Sequence, residues 1–338
     1  MDKLKKAIDE KRNIKANSLR AYIISITKLY EAIKPEDERF SITKIHRQIK
    51  PDERFDIDFL MDIGKIKNFL SKQLKLSTQK NYLSAIIVAL DAMNENNKYD
   101  KILEEYRILL DETHNKYAKD YENGAKSESQ EKNWTTMKEL KKVMNRIYRE
   151  IMDMGLLTKN ELNKKELLLL QQYIICNLFL TPENPPTRLD YAPMEIITLD
   201  NFNKLDEEEQ KENNYLVIKS RNNKFFSFNE YKTSGKYGQN NVKIGKKLNS
   251  VLNIWLRFNK TDSLLLNTKL EPMSANGLGK EITKIFRRIG KNISVNMLRH
   301  IFISEKYPNL DKEKKEDAIK MGHSVQQQSK YSKIDLEK

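Results

Sequence analysis

Near the end of the sequence stand Met297-Leu298-Arg299-His300, then Met321-Gly322-His323-Ser324, then Tyr331: an arginine, a histidine and a tyrosine in that order. These three residue types suit exchange of a phosphodiester bond through a covalent intermediate. Such a reaction needs a nucleophile, donors for the non-bridging oxygens as charge builds on phosphorus, and an acid for the leaving 5′ oxygen. A guanidinium matches phosphate oxygens with its planar fork. A phenol, with its pKa of about 10, becomes a nucleophile only when its proton is taken or its phenolate is stabilised.

Other chemistries find little here. Cys176 is the only cysteine and lies in the apolar run Tyr173 to Leu180, so it reads as a small core residue, and no disulfide or thiolate metal site can form within one chain. His46, His114, His300 and His323 are scattered, and neither an H-E-x-x-H nor a C-x-x-C pattern occurs. The expectation is a reaction with no metal and no cofactor.

The charge is uneven. Of the formal +14, the stretch from Leu216 to Lys260 carries ten basic residues against Glu230 alone, and that from Lys280 to His300 six against Glu281 alone. The rest of the 338-residue chain balances to zero. A positive field confined to two stretches is what a polyanion-binding surface requires, because each phosphate neutralised releases a counterion. A polyanion such as a nucleic acid is the expected partner, with Lys224, Lys236, Lys243, Arg287 and Arg288 as candidate contacts. Met1 to Lys6 holds no apolar core of a secretory signal, and the longest apolar stretch, Leu167 to Leu180, is too short for a bilayer. No membrane role and an intracellular location are expected.

These residues must be positioned by two domains, at roughly 150 residues each. Leu19, Tyr22, Ile26, Leu29 and Ile33 mark one helical face, and Leu83, Ile86, Ile87, Leu90 and Met93 another, with Ser77 as its cap. Further helices are expected over Phe59 to Leu70 and Ile102 to His114. Residues 1–125 thus read as a helical domain, 126–134 as a polar linker and 135–338 as a second domain. In the latter, helices at about 135–154 and 163–180 end at Pro182, Pro185 and Pro186. The period then changes to two: Tyr215 to Ile218, Lys224 to Phe228 and Asn241 to Ile244 predict three short strands. Helices return at about 246–259, 275–290 and 296–306, with a last pair near 311–320 and 324–333. The fold class is mainly α with a small antiparallel β-sheet.

Over roughly residues 135–335 this order of motifs resembles the tyrosine recombinase family, the phage-integrase-like enzymes of phages, viruses and mobile elements. The N-terminal helices resemble that family's core-binding domain in character. The resemblance implies six site residues. Arg188, in Pro186-Thr187-Arg188-Leu189-Asp190, would be the first arginine of the phosphate clamp, held by Asp190 or Glu195. Lys232, in Asn229-Glu230-Tyr231-Lys232-Thr233, would protonate the leaving oxygen, with Lys236 and Lys224 as alternatives. Arg299 would be the second arginine and His323 a phosphate donor, with Tyr331 the nucleophile. Asn296 stands where the family carries histidine or lysine; its amide can donate a hydrogen bond but cannot exchange a proton near neutral pH.

The implied activity is site-specific cleavage and rejoining of DNA through a 3′-phosphotyrosyl link, needing neither metal nor ATP, by four protomers on two duplexes. Two other readings share the residues: a type IB topoisomerase or telomere resolvase with the same cleavage step, and a catalytically silent DNA-binding protein, for which Asn296 speaks.

Overall fold

A computed structural model describes residues 1–12, 14–34, 56–73, 75–122, 126–183, 186–307, 313–314 and 320–321. The chain divides into two compact units, Met1–Ala125 and Lys126–Lys338. It is mainly helical, with one small mixed sheet.

The first unit contains α1 (Asp2–Lys11), α2 (Ala16–Ile33), α3 (Ile63–Gln73), α4 (Leu76–Ala92) and α5 (Asp100–Glu122). Apolar side chains recurring every three or four residues fill its core: Ile26, Leu29 and Tyr30 of α2, Leu83, Ile86 and Leu90 of α4, and Leu103 and Tyr106 of α5. Two expectations are corrected. The helix read from Phe59 to Leu70 is a 3-10 turn, Asp58–Met61, followed by α3. The break falls at Asp62, whose carboxylate accepts the Lys65 N–H at 3.0 Å. The cap of α4 is Lys75, with no side-chain bond, so Ser77 lies inside the first turn.

In the second unit the stretch read as linker carries a helix, α6 (Glu128–Asn133), because Ser127 and Gln130 form a capping box. Next come α7 (Met137–Asp153) and α8 (Lys164–Leu180), the latter started by Asn163 and Glu166 through a second capping box. Then follow β1 (Glu195–Thr198), α9 (Leu199–Phe202), α10 (Glu207–Glu212), β2 (Tyr215–Ser220), β3 (Asn223–Phe228), α11 (Ser234–Tyr237), β4 (Asn240–Lys243), α12 (Lys246–Phe258), α13 (Ala275–Phe286) and α14 (Val295–Lys306). Leu140, Ile147, Ile174, Leu178, Leu252, Trp255, Ile282 and Ile301 make the core on which the sheet rests.

The sheet runs β1-β2-β3-β4 and is mixed, where three antiparallel strands were expected. β1 pairs with β2 in parallel, Glu195 opposite Tyr215, because α9 and α10 carry the chain back before β2 begins. β2 and β3 form a hairpin with Leu216 opposite Phe226 and Val217 opposite Phe225. Leu216 and Phe226 face the main core, while Tyr215 and Val217 pack with Phe202 into a smaller cluster. A strand covered on both faces reads as a continuous apolar run, and Tyr215-Leu216-Val217-Ile218 is one. Among the described residues no helix is long and apolar enough to cross a membrane.

Candidate active site

Arg188 lies in the loop between α8 and β1 and is half-buried. That loop is anchored by Tyr191, whose ring is 1% exposed and meets Phe179, Phe226 and Phe228 edge-on at centroid distances of 5.5, 5.1 and 5.5 Å. The Arg188 backbone N–H favours the ionised Asp190 carboxylate, against the effect of burial. Arg299 sits on the first turns of α14, which Ser294 caps by accepting the Met297 N–H at 3.2 Å. Met297, Leu298, Ile301 and Phe302 bury one side of this helix, leaving Asn296 exposed and Arg299 half-buried, three residues apart on one face.

Asp190 lies in the field of both arginines. Burial pushes its carboxyl above the usual range, and Arg188 and Arg299 both oppose that shift through their positive charge. Two guanidiniums distant in sequence therefore share the field of one carboxylate. Glu195, the other acid near Arg188 in the sequence, is exposed and accepts from the Asn213 amide at 3.1 Å.

Lys232 is exposed, in the turn between β3 and the short α11. This turn closes on itself, the Tyr231 hydroxyl donating to the Gly238 carbonyl at 2.8 Å. Lys224 is elsewhere in every sense. It is 2% exposed, and its ammonium donates to the Arg221 carbonyl at 2.6 Å and to the side-chain oxygens of Asn249 and Asn253 at 2.9 and 2.6 Å. Burial lowers its pKa, with Arg221 adding to the shift. Lys224 is thus corrected from a DNA contact, or an alternative acid, to a pin between the β2–β3 turn and α12. Arg288 is likewise engaged, donating to Glu150 at 2.7 Å and Gln172 at 3.1 Å. Lys236, Lys243 and Arg287 are exposed, as a DNA contact must be, although Arg287 also donates to Asn292 at 3.2 Å. His300 is half-buried on α14.

His323 and Tyr331 lie outside the described residues, as do most of the last two expected helices. Cys176 is 1% exposed, and burial raises its thiol pKa to about 12, which fits a core residue. Among the described residues no group of histidine, cysteine and acidic side chains is placed to hold a metal ion.

One residue missed in the sequence sits beneath these loops. Asn214, just before β2, is 1% exposed and bonds both the Arg188 loop and the segment leading to Lys232. Its only sequence signal is the Asn213-Asn214 pair before an apolar strand, which reads equally well as a turn.

Comparisons with protein-family models, with curated proteins and with solved structures find no match to this chain.

Proposed function

We propose that the chain is a site-specific DNA strand transferase of the tyrosine recombinase type, an integrase of a virus or other mobile element. The observation that supports the reading is that Arg188, in the loop before β1, and Arg299, on the first turns of α14, are both half-buried and both act by charge on the half-buried Asp190. Two arginines in the field of one half-buried carboxylate keep a net positive charge in a site partly shielded from water. There they would bind the non-bridging oxygens of a scissile phosphate and stabilise the charge that develops on them. Asn296, exposed on the same helix face as Arg299, would add a neutral amide donor. Lys232 would give its proton to the leaving 5′ oxygen, and His323 would donate to a phosphate oxygen.

Tyr331 would attack phosphorus as the bond to the 5′ oxygen breaks, giving a 3′-phosphotyrosyl link and a free 5′ hydroxyl. The 5′ hydroxyl freed in the same way on the partner strand then attacks this link and releases the phenol. Bond energy stays in the phosphotyrosine, so the cycle consumes no nucleotide. Double-stranded DNA is the partner, and four copies on two duplexes the assembly.

The test is covalent trapping on nicked duplexes derived from the terminal sequences of the element that encodes the chain. The wild type should give a denaturation-resistant protein–DNA adduct. Tyr331→Phe should give none while keeping DNA affinity within a few-fold. An adduct from Tyr331→Phe excludes that nucleophile; tight binding without any adduct favours the silent DNA-binding reading, for which Asn296 is the supporting departure. An adduct without strand exchange favours the topoisomerase reading.

A further inference from the structure

Asn214 uses its whole hydrogen-bonding capacity inside the protein. Its amide N–H groups donate to the Asp190 carbonyl at 3.1 Å and the Glu230 carbonyl at 2.9 Å. Its side-chain oxygen accepts the N–H of Asn229 at 2.8 Å and of Glu230 at 2.9 Å. Two donors and two lone pairs are all that a primary amide has. The backbone carbonyl of Asn214 meanwhile accepts the Glu195 N–H at 2.9 Å, the first bond between β1 and β2. Three pieces of chain therefore meet on one residue: the Arg188 loop, the start of β1, and the point where β3 leaves the sheet toward Lys232.

The attachment points matter. Asp190 is the second residue after Arg188, and Glu230 the second before Lys232. One rigid amide thus fixes a carbonyl two residues from each cation, while the β2 backbone fixes the amide. Next door, Asn229, itself 7% exposed, donates from its side chain to the Asn213 carbonyl at 2.9 Å, which braces the same corner. The two loops do not depend on it equally. Tyr191 holds the Arg188 loop in an aromatic cluster, whereas Lys232 and Glu230 are exposed and their segment leaves the sheet at this corner.

We infer that Asn214 is a positioning residue, which sets Lys232 at its working distance from the phosphate held by Arg188. No other side chain of similar size does this. Aspartate would turn a carboxylate oxygen toward two carbonyl oxygens, and alanine leaves two N–H and two C=O groups unpaired in a buried place.

The inference rests on the strand-transfer reading, and the chemistry of the leaving group separates the two. Two nicked duplexes are compared, identical except that in one the bridging 5′ oxygen at the scissile phosphate is replaced by sulfur. A thiolate leaves without a proton, so that duplex has no need of an acid at the position of Lys232. Adduct formation by Asn214→Ala should fall about tenfold or more on the oxygen duplex and recover most of that loss on the sulfur duplex, as for Lys232→Ala. Arg299→Ala should lose on both. Hydrogen exchange at the Asn229 and Glu230 amides should quicken in Asn214→Ala while α8 stays protected, which shows that the variant is folded. If it is not folded, Asn214→Gln, with the same functions one methylene further out, gives the same comparison. Equal losses on the two duplexes, or no loss, overturn the positioning role alone. No adduct from the wild type on either duplex overturns the strand-transfer reading and this inference with it.

Discussion

At the scale of single residues the proposed site can be probed at Asp190. Its carboxyl is pushed up by burial, so the folded protein holds that proton to higher pH than the unfolded chain does. The sign follows: this group favours folding below the unfolded value of about 3.9, and the contribution is lost as pH rises through the raised folded value. At neutral pH the ionised Asp190 is therefore a cost to the fold. Asp190→Asn should melt higher than the wild type at pH 7 and gain less, or nothing, at pH 4, as thermal scans at the two pH values would show. The same variant should lose adduct formation by about tenfold or more, roughly 1.4 kcal/mol of transition-state stabilisation, because the two arginines no longer share a counter-charge. A variant both more stable and less active marks a residue kept for function. Arg299→Ala should be far worse, by about 10²–10³-fold in cleavage, as for other lost donors to a developing charge. The two arginines could be singled out in the sequence because they sit in short motifs. That Asp190 feels the charge of both was not legible, since Arg299 comes near only when α14 packs.

Among elements, those with a strong period were legible, and those made by tertiary partners were not. The helices α7, α8, α12 and α14 follow their apolar spacing and caps, and the apolar β2 and β3 read directly. β1 was missed because four residues carry no period, and it becomes a strand through neighbours: Glu195 N–H bonds Asn214 and Ile196 N–H bonds Asp262 at 2.7 Å. Lys224 reads as one more cation on a basic hairpin, and only the three oxygens around its ammonium show otherwise. α8 hides a polar device of the same sort. Gln171, 2% exposed, donates to the Leu266 carbonyl at 2.8 Å and accepts its N–H at 2.7 Å, so a side chain stands in for a strand partner. Gln171→Leu keeps the volume but leaves both backbone groups unpaired, at about 1–3 kcal/mol each. A calorimetric scan should show the melting temperature falling by roughly 4–24 °C, at about 2–4 °C for each kcal/mol in a unit of this size.

On the scale of the whole molecule, under the proposed function, the positive charge would decide how DNA is held. A footprint of about six phosphates would lower affinity by roughly 10³ between 50 and 200 mM salt. Titrating binding against salt should give a steep slope. Lys236→Gln with Lys243→Gln should reduce that slope by about two, whereas Lys224→Met should leave the slope unchanged and lower the melting temperature. A slope that drops equally for Lys224→Met would contradict its burial. The sheet has its own bearing on how copies of the chain would gather on DNA. Its outermost strand, β4, is four residues long, polar and largely exposed, and carries Lys243. Short, charged borders of this kind discourage one sheet from continuing into another. A four-copy assembly would then be built through helices, loops and the shared duplexes, and would come apart when the DNA is withdrawn or the salt is raised.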